Sequence, residues 1–218
     1  MKKSNYGKMF SAALMMMAAM TMTSCSGSKK IYGGSNVGES SDMGKNEEDL
    51  DNSYLVLSEK QHDVINKNNE FALRLFDKIS GQSSQVVSPM SVAYLMGMLA
   101  NGADGNTQQE ILKAIGCEGV SVDDLNETYK AILSTAGKLD KQTKVEIANF
   151  IAVNKNFSVK ENFSKKVGDS YQAEIESLDF TSGKTTKHIN GWCKEKTQGM
   201  IPQIIDRVDP QAVSYLMN

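Results

Sequence analysis

Residues 86–116, VVSPMSVAYLMGMLANGADGNTQQEILKAIG, constrain this chain more than any other stretch. Ser88-Pro89 sets a hydroxyl at a helix N-cap and a proline at the first helical position, where its missing N–H costs nothing. The run that follows, VAYLMGMLA, is apolar on every face, which predicts a helix buried all round rather than one lying on a surface. Asn101-Gly102 ends it. Thr107 to Glu110, TQQE, has the form of a capping box and predicts a second, short helix, with Ile111, Leu112 and Ile115 as its apolar stripe and Gly116 as its stop. A helix without a polar face needs covering layers, so this stretch asks for a domain with a sizeable core. It holds no His and no Cys, and therefore no obvious catalytic pair.

The remaining sequence supplies such a core, with apolar residues at 40% of 218. Ser58 opens a helix through the capping-box pattern SEKQ, and Val64, Phe71, Ala72, Leu75 and Ile79 follow on one face until Gly81. A further helix begins at Ser121 and carries Leu125, Tyr129, Ile132 and Leu133. The pattern then changes. KVEIANFIAVNKN places Val145, Ile147, Ile151 and Val153 on one face and Ala148, Phe150 and Ala152 on the other, as in a central strand covered on both sides. KENFSKKVGDSY reads as a short helix and QAEIESLDF as a strand with one solvated face. TTKHINGWCKEKTQG reads as an amphipathic helix with Ile189 and Trp192 inward and Gly199 as stop, and AVSYLMN as the start of another strand. The order predicts an α+β fold in which N-terminal helices pack on a central β-sheet.

The first residues belong to export. MKKSNYGKMF is a basic leader and SAALMMMAAMTM an apolar stretch too short to span a bilayer as a stable helix. It runs into Thr23-Ser24-Cys25, which resembles a bacterial lipobox; the motif implies cleavage before Cys25, lipidation of Cys25 and a membrane-anchored, outer-membrane protein facing the periplasm or the cell surface. The competing reading is a plain secretory signal with an accidental cysteine. Residues 1–24 are then the signal peptide, 25–53 a Gly-, Ser- and acid-rich tether, and 54–218 the folded domain.

Several chemistries are excluded. The net charge is -2 and no basic run is longer than a pair such as Lys29-Lys30, so no nucleic-acid partner is expected. TSGKTT at Thr181 to Thr186 lacks the P-loop glycine, since Leu178 stands where it is required. Ser88 and Ser91 could serve as nucleophiles only with a base, and His62 and His188 both read as solvated residues. Cys117 and Cys193 with those histidines make no metal signature, so neither metal nor cofactor is expected. An exported chain can form a disulfide, but two buried, idle thiols fit their contexts better. The glycosylation sequons at Asn126 and Asn162 are set aside because the lipobox points to a bacterium.

Ser88-Pro-x-Ser91, Met96, Met98, Gly102-Ala103, Gly105 and Thr107 resemble the second and third helices of the serpin family. The similarity runs on through Ala148-Asn149, Phe163, Glu174, Asp179-Phe180, Ile189-Asn190-x-Trp192, Thr197-x-Gly199-x-Ile201 and Leu216-Met217-Asn218, in order over about residues 55 to 218. Cys193 departs from the aliphatic residue usual there. The resemblance implies a protease inhibitor, not an enzyme: a serine or cysteine protease cleaves a reactive loop, which inserts into the large sheet as an extra strand. It implies that Ser88, Ser91 and Asn218 form one hydrogen-bonding cluster, the shutter, where the sheet parts, and that Asn190 and Trp192 pack a helix across the sheet. It also implies that the reactive loop would lie beyond Asn218, so these residues are expected to be the N-terminal part of a serpin, inactive and aggregation-prone alone. A non-inhibitory binding or structural protein of the cell envelope is the alternative.

Overall fold

Serine hydroxyls start four of the six helices in the computed structural model, which describes residues 55–81, 84–138 and 142–218. The export signal, Cys25 and the tether lie outside the described residues. Helix α1 spans Glu59–Ile79 behind a Ser58–Gln61 capping box, and α2 spans Pro89–Gly102 with Ser88 Oγ accepting from Ser91 N–H. Ser121 caps α4, Val122–Ala136, and Ser182 caps α6, Gly183–Lys196. Each cap supplies an acceptor to an N–H that has no partner inside the helix. Helix α5 spans Glu161–Tyr171.

Helix α3, Gly105–Ala114, starts before the expected capping box. Asp104 is its N-cap and accepts from Gly105 N–H, so Thr107 lies inside the first turn. The Gln108 amide instead donates to the carbonyls of Ala100 and Ala103, closing the end of α2. Gly116 stops α3 in the left-handed region at φ +77°, with Cys117 N–H bonded to Leu112 O and Gly116 N–H to Lys113 O. A Cβ there would also lie 3.2 Å from the Lys67 carbonyl, so the turn favours glycine.

Three strands form one sheet in the order β2-β1-β3. Strand β1, Asn149–Asn154, is central and buried at all six positions. It pairs in parallel with β2, Ala173–Leu178, and antiparallel with β3, Ser214–Met217. Ile151 and Val153 point into the cluster formed with α1 to α5, while Phe150 and Ala152 point into the second cluster under α6. The expected strand was too long at its start: Val145 and Ile147 fall before β1, because the ladder with β2 begins at Asn149↔Ala173 and that with β3 at Phe150↔Met217. Alternating apolar residues make a strand only where a neighbour offers hydrogen bonds.

Helix α2 also departs from expectation. Ala93, Tyr94, Gly97, Met98 and Ala100 are buried, but Leu99 is 42% exposed and Met90 47%. Val92, Leu95 and Met96 are half-buried. The described elements fully cover only one side of this helix, so its all-round hydrophobicity is not matched by all-round burial. The described helices include none long and apolar enough to cross a membrane.

Candidate functional site

Ser88 and Ser91 sit half-buried at the start of α2, with Ser91 donating to Ser88 Oγ from its hydroxyl at 2.9 Å and from its N–H at 3.2 Å. Asn218, just past β3, donates from Nδ2 to Asn149 Oδ1 at 2.8 Å. Asn149 in turn donates to the carbonyl of Tyr171 at 2.7 Å. The three residues expected to share one cluster therefore form two groups among the described residues. One lies at the head of α2 and the other ties β3 to β1 and to the end of α5.

Tyr171 extends the second group into the helices. Its hydroxyl donates to Asn126 Oδ1 at 2.8 Å, and Asn126 exchanges two hydrogen bonds with Asn101 on α2. Tyr94, Tyr129 and Tyr171 pack edge to face, with ring centroids 4.8 to 6.2 Å apart. Burial raises the pKa of all three phenols, so all remain protonated. Tyr129 exchanges hydrogen bonds with Asn68 of α1, whereas the buried Tyr94 hydroxyl has no hydrogen-bond partner among the described residues. Sequence reasoning missed this arrangement: Asn101 reads locally as a helix stop and Asn126 as a sequon, and no short motif links either to Tyr171.

On the other face of the sheet, α6 is docked by Ile189 and Trp192, as expected, together with Cys193 and Thr185. The Trp192 ring stacks on Phe150 with centroids 5.0 Å apart. Asn190 does not face the sheet. It clasps the chain leaving α6, with Oδ1 accepting from the N–H groups of Ile204 and Ile205 and Nδ2 donating to Ile205 O. Thr186 Oγ1 accepts from Val208 N–H, and Asn154 of β1 donates to Pro210 O and Ala212 O. An irregular segment between α6 and β3 is thus held by side chains from both α6 and β1. The glutamates of β2 lie under α6, where Glu174 meets Lys196 at 2.7 Å and Glu176 meets His188 at 2.6 Å. His188 is half-exposed, with its Nε2 held by the Glu176 carboxylate. Polar contacts this exposed add little, so the apolar contacts carry the docking.

Asp179 fixes the turn into α6. Lys155, the Thr181 hydroxyl and the Thr181 N–H all donate to its carboxylate and hold its pKa at about 2, below the ordinary 3.8. A folded value below the unfolded one means that this anchor stabilises the fold above about pH 4 and that its contribution is lost as pH falls toward 2. A carboxyl-detected NMR titration should place the Asp179 midpoint near pH 2; a midpoint at the ordinary value would remove this anchor.

The two thiols among the described residues are free and buried, Cys117 among the helices and Cys193 on the inward face of α6, on opposite sides of β1. Burial pushes Cys117 up to about 11 and raises Cys193 as well. Cys117 should therefore alkylate on the order of a hundredfold more slowly than a free thiol at about pH 8, and Cys193 should also be slowed. Iodoacetamide labelling followed by mass spectrometry checks this, and fast labelling of either would contradict the burial. No three His, Cys, Asp or Glu side chains are grouped to hold a metal ion among the described residues.

This geometry defines a class: an α+β domain whose capped helices back a mixed sheet, with one helix bracing the sheet's other face. Residues 66–218 match the family described as serpin, serine protease inhibitor. The chain is 32% identical over 159 residues to Serpin B6 of Bos taurus, covering 69% of this chain and 42% of that one. It is 28% identical over 177 residues to alpha-1-antitrypsin 1-4 of Mus musculus, covering 78% of this chain and 43% of that one. Among solved structures it resembles the thermophilic serpin tengpin in its latent state, with a TM-score of 0.65 and 33% identity over 74% of this chain and 43% of that one. Tengpin in its native state gives the same score. The chain belongs to the serpin family, and it spans well under half the length of these relatives. The family's description is of inhibitors of proteases rather than of enzymes.

Proposed function

We propose that the protein to which these residues contribute the N-terminal part of a serpin domain is a lipid-tethered inhibitor of serine or cysteine proteases. The observation that carries this reading is the family match over residues 66–218. In this reading a protease cleaves a reactive loop, is held as an acyl-enzyme, and is carried along as the loop enters the sheet as a new strand. Ser88, Ser91 and Asn218 are the groups whose hydrogen bonds are exchanged when the sheet parts beside β3. Polar groups half-buried at such a boundary are costly unless paired, so a change of partner can distinguish a closed sheet from an opened one. Trp192 and Asn190 belong to the brace that lies over the sheet. Cys25 carries the lipid, and the acidic, Gly- and Ser-rich residues up to 53 hold the domain off the outer membrane.

The test is incubation of the full-length protein with a panel of serine and cysteine proteases. A denaturant-resistant adduct of the two chains, with Ser88→Ala changing its rate of formation, is the expected result. Cleavage with no adduct for any protease would assign a binding or structural role instead. Palmitate labelling that survives Cys25→Ala would end the lipoprotein reading.

A further inference from the structure

One path of hydrogen bonds crosses the molecule from the sheet edge to the helices, and it uses both ends of a single residue. Tyr171 is the last residue of α5, and its carbonyl is one of those a helix leaves without an internal partner. Asn149 of β1 supplies that partner at 2.7 Å and holds Asn218 through its own side-chain oxygen at 2.8 Å. The other end of Tyr171, its hydroxyl, donates at 2.8 Å to Asn126 of α4, which is locked in a reciprocal pair with Asn101 of α2.

Tyr171 has little freedom to absorb a displacement at either end. Its ring is fully buried between Tyr94 and Tyr129. The backbone of Gly97 stands so close that a Cβ there would come within 2.4 Å of the Tyr171 hydroxyl. Immediately after it, Gln172 takes the left-handed conformation at φ 51° and turns the chain into β2, whose first residue pairs with Asn149. A shift of the α5 terminus therefore displaces the carbonyl that orients Asn149, and a shift of Asn149 displaces the tyrosine that orients Asn126. Buried networks of this kind are cooperative, because each lost bond leaves a desolvated group behind.

We propose that Tyr171 couples the α2–α4 contact at Asn101 and Asn126 to the grip of β1 on the end of β3. Tightening one tightens the other, by the reciprocity that any coupling between two sites obeys. The coupling is a property of this half of the fold and holds whether or not the protein inhibits a protease.

Hydrogen exchange read by mass spectrometry on the full-length protein tests it. Tyr171→Phe removes one hydroxyl far from β3 in sequence and leaves the ring. It should speed exchange in the peptide covering Ser214–Asn218 about tenfold, the effect of one buried acceptor losing its donor. Tyr129→Phe is the matched comparison: the same deletion in the same ring cluster, but its hydroxyl bonds to Asn68 of α1, off the path. It should change that peptide by less than about twofold. In the reverse direction Asn218→Ala should speed exchange in α4 more than in α3, and it reads the same coupling if Tyr171→Phe does not fold. Unchanged β3 exchange in Tyr171→Phe overturns the proposal. So does equal acceleration by both tyrosine variants, or an Asn218→Ala effect confined to β3.

Discussion

Trp192→Ala should lower stability by about 3–5 kcal/mol, the range for removing a large aromatic side chain from a packed core. Trp192 is 8% exposed on α6, stacked on Phe150 of the central strand, and surrounded by Ile189, Phe180, Val208 and Met217 of the same cluster. Truncation leaves a cavity at the contact between α6 and the sheet. The surrounding groups cannot collapse into it easily, because α6 is pinned at its start by Thr185 to the Asp179 carbonyl and along its length by Asn190. Trp192→Phe should cost far less, about 1 kcal/mol, since stacking is retained. Its indole Nε1 makes no hydrogen bond among the described residues, so none of these is lost. Chemical denaturation followed by circular dichroism checks both variants, a readout chosen because Trp192 is the one tryptophan of these 218 residues and its fluorescence disappears with it. Equal effects of the two substitutions would mean that the indole, not the aromatic stack, holds α6 on the sheet.

Gly97→Ala should also destabilise, by about 3 kcal/mol, although alanine is the better helix former by about 1 kcal/mol. The two effects oppose each other, and the magnitudes decide. A Cβ at position 97 would lie 2.4 Å from the Tyr171 hydroxyl and 3.0 Å from ring carbons of Tyr129 and Tyr171. A long side chain at the surface would move aside. Tyr171 cannot, being fully buried and bonded to Asn126, so overpacking is joined by loss of that hydrogen bond. Gly191 of α6 provides the contrast: nothing lies within 4 Å of the place its added methyl would occupy, so Gly191→Ala should stabilise by about 0.5–1 kcal/mol. Urea midpoints read by Trp192 fluorescence separate the pair; a Gly97→Ala midpoint at or above the parent's would show that the tyrosine cluster repacks freely.

The helix caps were legible because a cap is settled within three or four residues. Ser58, Ser88 and Ser121 each bond to an N–H three positions on, which is visible in a linear pattern. The same rule misplaced the start of α3, since Thr107 and Asp104 both offer a capping oxygen and only the path of the chain out of α2 selects Asp104. The two-sided burial of Phe150 to Val153 was legible as a run of apolar residues, but its starting point was not. Val145 and Ile147 alternate as well as Ile151 and Val153 do, and the partner strands alone decide where pairing begins.

The candidate site divides along the same line. Ser88 with Ser91 is a local pair, and Asn218 and Asn190 were picked out by resemblance to a family with an ordered set of motifs. What each of these asparagines touches was not legible. Asn101 meets Asn126 across 25 residues, Asn126 meets Tyr171 across 45, and Asn149 meets Asn218 across 69. Nor was it apparent that Asn190 turns away from the sheet to hold the returning chain. By itself the sequence determined the helices, the caps at Ser58, Ser88 and Ser121, the buried central strand and the family, because these rest on hydrogen bonds and periodicities spanning a few residues. Only the tertiary structure decided which polar side chains meet, which face of α2 is covered and where the sheet begins, because those depend on the packing of segments that no local rule brings together.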